Sequence, residues 1–422
     1  MYVQDLSPGK TVWNASFVAW SGQSRLASRT LTGESRDRGR SGSRSALTLA
    51  DARSLSNTSM TSNMHRVLYT SQPVWCSFQG VTCDSDYGSS SYGRMMSLSL
   101  DNLNLKGSLP SSIGSFDKLT YFSMGGNSID GSIPSTIGMM TAVQNFYLLN
   151  NQLMGSIPST IGQMTSLRYF ELRNNQLLGT IPSIIGMMTS LIYFELRINQ
   201  LTGTIPSTIG LMTSLTGLEL GNNQLTGSVP STIGQMASLT YFALYNNHLM
   251  GTIPSIIGLM TSLKYFYLFG NQLTGTLPSA IGLMTSATQL SVSNNQLTGT
   301  IPSAIGMMTS LTGLGLGNNQ LTGTIPITIG LVTSLIYFGL GSNQLTGTIP
   351  STMSALSLLD YLYLSSNYLT MGTASTVPPL TFSSYTLNKG HINLDANCLA
   401  FKYGTYSTNA THCRATAGEC VV

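Results

Sequence analysis

Apolar and polar positions along this chain fall into a pattern that returns every 24 residues, and the stretch 201–224, LTGTIPSTIGLMTSLTGLELGNNQ, is its clearest copy. Asn127, Asn151, Asn175, Asn199, Asn223, Asn247, Asn271, Asn295, Asn319, Asn343 and Asn367 stand 24 apart without a slip, and the prolines from Pro110 to Pro350 keep the same step. A strict period of this length predicts a solenoid, in which each unit buries its apolar side only against its neighbours.

In the unit around Asn175, Leu167, Phe170 and Leu172 precede the Asn, and Leu177, Gly179, Ile181 and Pro182 follow it. The alternation Phe170-Glu171-Leu172-Arg173 predicts a short strand with one face inward. The Asn ends the strand. Its amide is able to bond backbone groups of the turn, so stacked copies predict a ladder of buried but satisfied polar groups. Gly179 permits a close bend. Ile-Pro predicts a second short extended piece, because the residue before Pro is driven out of the helical region. Ile185, one of Met187 and Met188, and Leu191 are expected to fill the convex side, with Ile-Gly as a turn. Parallel strands at about 4.8 Å per unit then make one long curved sheet.

The consensus LxxLxLxxNxLxGxIPxxIGxLxx resembles that of plant-type leucine-rich repeats, from about Met95 to Thr370. The resemblance implies an α/β solenoid. Its expected form is a right-handed curved superhelix with a parallel concave β-sheet, 3-10 or short helices on the convex side, and disulfide caps. The run Trp75-Cys76-Ser77-Phe78-Gln79-Gly80-Val81-Thr82-Cys83 is similar to the family's cap motif CxWxGVxC, with Phe78 in place of Trp. It implies a Cys76–Cys83 disulfide stapling a cap over the first repeat. Four segments follow: a basic, Ser/Arg-rich leader over 1–44, expected to be disordered; an N-terminal cap over 45–94, with helical spacing in SALTLADARSL; twelve repeats over 95–370; and a degenerate last repeat with a Cys-containing cap over 371–422. Ile392, Leu394, Asn397 and Leu399 restore the pattern 30 residues after the previous unit, which makes MGTASTVPPLTFSS a loop. Cys398, Cys413 and Cys420 leave the C-terminal pairing open.

Composition narrows the function classes. Charged residues are only 8% of the chain, and none lies between Lys264 and Asp360. Pro, Asn, Gly, Gln and Thr interrupt every apolar run well short of the roughly 18 residues of a membrane span. Residues 1–70 hold nine Lys/Arg against four Asp/Glu, and the remainder ten against eleven. The basic balance therefore belongs to the leader, and no Lys/Arg stripe suits nucleic acid. No signal peptide is recognisable at the N-terminus. Cysteines flanking a repeat array nevertheless point to an oxidising, extracellular or cell-wall setting, and Asn14, Asn57 and Asn409 occupy glycosylation sequons. His65, His248, His391 and His412 are scattered, and neither HExxH nor GxSxG occurs. No enzyme activity, cofactor or metal is expected.

Chemistry suited to binding concentrates on the strand face. Six residues before the ladder Asn stand Tyr121, Tyr169, Tyr193, Tyr241, Tyr265, Tyr337 and Tyr361; two residues on come Tyr147, Glu171, Glu195, Glu219, Tyr267 and Tyr363; two further on come Arg173, Arg197, Tyr245 and Phe269. Alternation along a strand points them all one way. Strand propensity and in-register stacking explain the tyrosines without a ligand. Glu171, Glu195 and Glu219, about 5 Å apart, would repel one another, and Arg173 and Arg197 are placed to relieve them as a self-neutralising patch. The functional account is a ligand site from Tyr147 to Phe269, with aromatic platforms for sugar rings or peptide side chains and Glu and Arg as polar anchors. A second array, Thr274/Thr276, Thr298/Thr300, Thr322/Thr324 and Thr346/Thr348, predicts stacked hydroxyls and methyls. It resembles the Thr ladders of ice-binding solenoids.

The resemblance as a whole implies a non-enzymatic extracellular recognition module, akin to the ectodomains of leucine-rich-repeat receptors. Its ligand would be a peptide, protein or cell-wall glycan, with a co-receptor as a further candidate partner. The alternatives are an inhibitor of a secreted polysaccharide hydrolase, as in polygalacturonase-inhibiting proteins, and an ice-binding protein.

Overall fold

The computed structural model describes residues 2–5, 11–14, 76, 79–85, 94–370 and 391–393. Each repeat contributes one short concave strand, such as Tyr193–Glu195, whose central residue points into the solenoid. Because every repeat has the same length, the strands pair in register: Phe170 lies beside Phe194, Phe194 beside Leu218, and Leu218 beside Phe242. The result is a 14-stranded sheet running from Val81–Cys83 to His391–Asn393. All its pairings are parallel except the first, where Val81–Cys83 runs antiparallel to Met95–Ser99. The Cys76–Cys83 disulfide ties that strand down, so the open edge of the first repeat is paired rather than bare. At the other end His391 lies opposite Tyr361, 30 residues earlier, as the late register predicts.

The core is a continuous column. Phe122, Phe146, Phe170 and Phe194 stack with ring centroids 5.1–5.7 Å apart, and Leu172, Leu196 and Leu220 are fully buried beside them. The Asn ladder closes each strand. Asn223 Oδ1 accepts from the Leu201 backbone N–H at 3.1 Å, while its Nδ2 donates to the Leu196 and Leu220 carbonyls at 3.0 Å. One amide thus satisfies buried groups of two successive turns, and the arrangement recurs at Asn175 and Asn319.

The residue before the ladder Asn turns left-handed. Asn150, Asn174, Asn222, Asn246, Asn294 and Asn318 take φ of 51–55°, a conformation Asn tolerates. They form an outer ladder: Asn174 donates to Asn150 at 3.0 Å and Asn246 to Asn222 at 2.8 Å. Ile198 interrupts it at φ 57°, a strained position for a β-branched residue that costs about 1–2 kcal/mol.

The convex side takes the 3-10 form among the two expected. Among the described residues there is no α-helix; every convex element is a five-residue 3-10 helix opened by Pro, such as Ser207–Leu211 after Pro206. The reason is crowding between repeats. A Cβ on Gly210 would lie 2.4 Å from the Thr232 carbonyl oxygen, so successive turns abut and a wider helix would not fit. The choice between two methionines is also settled: Met188 is fully buried and Met187 is 57% exposed.

Within the leader, Tyr2–Asp5 and Thr11–Asn14 pair antiparallel. The rest of the leader, the helix expected in SALTLADARSL, the loop after Thr370 and Cys398, Cys413 and Cys420 lie outside the described residues.

Candidate ligand-binding face

The register brings three carboxylates onto neighbouring strands: Glu171 beside Glu195, and Glu195 beside Glu219. Their exposures differ sharply. Glu195 is 1% and Glu219 4% exposed, whereas Glu171 is half-buried. Arg197 lies between the two buried acids, in ion-pair contact with Glu195 Oε1 and 3.5 Å from Glu219 Oε2. Arg173 Nη1 is 3.7 Å from Glu195 Oε1, and the Tyr193 hydroxyl donates to Glu219 Oε1. Glu195 Oε1, Arg197 Nε and Glu219 Oε2 have no hydrogen bond of acceptable geometry, though their charges touch.

Two glycines explain why Glu219 is covered. A Cβ on Gly217 would fall 2.3 Å from the Tyr193 ring, and one on Gly221 would fall 2.7 Å from the Tyr245 ring. Each ring occupies the space a side chain would take at its glycine, two residues before and two residues after Glu219. The sequence reading passed over Gly217 and Gly221. The signal was present as a break in the tyrosine column directly after Tyr193.

Burial, then repulsion from Glu219, pushes the Glu195 carboxyl up to about 7, against the pull of Arg197 and Arg173. Burial also raises Glu171, with Arg173 opposing. Burial and the hydrogen bond to Glu219 hold the Tyr193 phenol well above its ordinary value, and burial followed by Glu219 brings Tyr241 to about 12. Burial works against the Arg197 charge, but Glu195 and Glu219 together outweigh it and hold its proton more firmly than usual.

An aromatic wall adjoins this cluster. Tyr241 packs against Tyr265 and Tyr267 with centroids 5.3 and 5.8 Å apart. Tyr245 and Phe269 stack at 4.8 Å, nearly parallel, and Tyr267 meets Phe269 edge-on at 6.2 Å. On the opposite flank Tyr147 sits in register beside Glu171 and meets Tyr121 edge-on, while Tyr169 stands beside Tyr193. The face loses its aromatics at Gln289, Ser291, Gly313 and Gly315, and recovers them at Tyr337, Tyr361 and Tyr363. The residues singled out from sequence therefore share one surface, but Glu195 and Glu219 form its floor rather than its exposed anchors.

The Thr array also departs from expectation. Like does not stack on like: Thr276 pairs with Thr298, and Thr300 with Thr322. Left-handed Gly275 and Gly299 turn the chain between the two threonines of a unit and shift the next repeat along. The first hydroxyl is engaged in three of the four units, where Thr298, Thr322 and Thr346 donate to the Gly275, Gly299 and Gly323 carbonyls at 3.2–3.3 Å. The methyl of Thr276 rests against Gly299. All eight threonines remain exposed.

The leucine-rich-repeat family model matches residues 166–188, 214–236, 262–284 and 286–308. No curated protein matches the chain. Among solved structures, the plant peptide hormone receptor RGFR1 in complex with RGF2 is similar at 35% identity and a TM-score of 0.62, over 63% of this chain and 43% of that one. A TDR receptor is similar at 28% identity and 0.61, over 72% and 56%. The ectodomain of the Arabidopsis receptor kinase HAESA, in complex with an N-terminally extended IDA peptide hormone, is similar at 29% and 0.55, over 70% and 57%. The match thus spans 43–57% of those receptor chains. Among the described residues no helix is long and apolar enough to cross a membrane. With a 24-residue period, an Asn ladder and a parallel concave sheet in place, the chain carries leucine-rich repeats and folds as a leucine-rich-repeat solenoid, similar to the ectodomains of plant peptide-hormone receptors.

Proposed function

We propose that the concave face binds an extended peptide outside the cell, across the strands from Tyr147 to Phe269. One observation carries this reading: a contiguous aromatic wall, Tyr241 to Phe269, joins a cluster of Glu and Arg on the same open surface. Aromatic and Arg side chains around a desolvated centre are what protein and peptide interfaces use. The RGFR1 and HAESA structures, which hold peptide hormones, support a peptide as occupant and a cell-surface or secreted setting. The module recognises its ligand and performs no chemistry on it, in a receptor-like or defence role. Peptides selected on the full chain are expected to lose affinity by about 30-fold, or roughly 2 kcal/mol, when Tyr267 and Phe269 are both changed to Ala. Titration calorimetry reads this directly, and equal affinity would remove the wall from the site.

The Thr flank favours a second reading, contact with ordered water at an ice surface. It is exposed, it pairs threonines of successive repeats, and it lies inside the uncharged stretch between Lys264 and Asp360. Thermal hysteresis of the full chain, lost on changing Thr300 and Thr324 to Lys, is the expected result. A freezing point equal to the melting point in the unaltered protein ends this reading.

A further inference from the structure

We infer that the peptide presents a cationic group, an Arg or Lys side chain or a free amino terminus, to Glu171 between Tyr147 and Tyr169. This rests on the peptide reading of the concave face. The charges of the cluster do not balance: Glu171, Glu195 and Glu219 face Arg173 and Arg197. Arg197 is committed to the floor between Glu195 and Glu219, and Arg173 Nη1 approaches Glu195 at 3.7 Å. Arg197 is not free to take a ligand carboxylate without stripping two buried acids of their counter-charge, which is the costly direction. Glu171 is different. Its carboxylate forms no ion pair or hydrogen bond among the described residues, and it is half-buried on the ligand side.

Burial has already raised its pKa, so the excess negative charge sits where solvent compensates it poorly. A neutral donor, such as a sugar hydroxyl or a side-chain amide, would leave that charge in place, whereas a cation neutralises it. The walls suit one: Tyr147 neighbours Glu171 in register, with its hydroxyl held by Asn145 Nδ2 at 2.9 Å, and Tyr169 lies two residues before Glu171 on the same strand. Tyrosine faces attract ammonium and guanidinium groups.

Panning a random dodecapeptide phage library against the full chain tests this. The selected peptides are expected to share an Arg or Lys whose change to Gln weakens binding by about tenfold. Glu171→Gln, which keeps the side-chain shape and breaks no internal ion pair, should weaken the same peptides equally. The two changes together should cost no more than either alone, and the affinity of the parent peptides should fall as salt rises. Selected peptides without a basic residue, or unchanged affinity in Glu171→Gln, overturn the inference. If those same peptides still lose affinity with the Tyr267→Ala and Phe269→Ala pair, the peptide reading survives without the cation. A library that yields no binder overturns both.

Discussion

Replacing Arg197 with Met is expected to destabilise the central repeats by about 3–5 kcal/mol, because it strands two buried carboxylates. Met fills the space of the Arg stem, so the loss reports the charge rather than the packing. Glu195 would retain only Arg173, at 3.7 Å, and Glu219 would retain only the Tyr193 hydroxyl. The deficit depends on pH with a definite sign. The folded-state pKa of Glu195 is raised from the ordinary 4.5 to about 7, so in that window the folded state binds the proton more readily than the unfolded chain. Its contribution is fully present below the unfolded value and is lost as pH rises through the folded one. Removing Arg197 deletes the largest opposing charge and moves the folded value higher still. Urea unfolding should therefore show a large deficit at about pH 8 and a smaller one at about pH 5, where protonation relieves the pair. An unchanged midpoint at the higher pH would mean that the cluster is solvated rather than buried.

Asn223→Ala is the second large effect expected. The side chain bonds the Leu201 N–H and the Leu196 and Leu220 carbonyls, and is itself 7% exposed. Truncation leaves the buried Leu201 N–H unpaired, at about 1–3 kcal/mol, and takes one of two ladder bonds from each carbonyl, since Leu196 O still accepts from Asn199 Nδ2 and Leu220 O from Asn247 Nδ2. A total of about 2–4 kcal/mol is the expectation. Each repeat touches only its neighbours, so the damage should stay local. Amide exchange should accelerate around Leu201 and Leu220 and stay unchanged near Leu345, where Asn367 supplies the equivalent bond. Uniform acceleration along the whole solenoid would show instead that the array unfolds as one unit, and undisturbed protection at Leu201 would show that the ladder is dispensable.

The sequence by itself determined the solenoid, the ladder and the columns on the strand face. The physical reason is that each repeat packs on copies of itself. A period along the chain is then also the contact map, and Tyr193 must lie beside Tyr169 once both repeats have the same length. The disulfide at Cys76 and Cys83 was legible through its motif. Tertiary structure alone decided the rest, because it turned on how side chains of one repeat lie over the backbone of the next. Met187 and Met188 are chemically identical, and only the phase of the 3-10 turn exposes one and buries the other. Gly217 and Gly221 look like gaps in the columns until the rings of Tyr193 and Tyr245 are seen resting on them. Those rings, not the spacing of the carboxylates, make Glu219 a buried acid and leave Glu171 in the same column open to a partner.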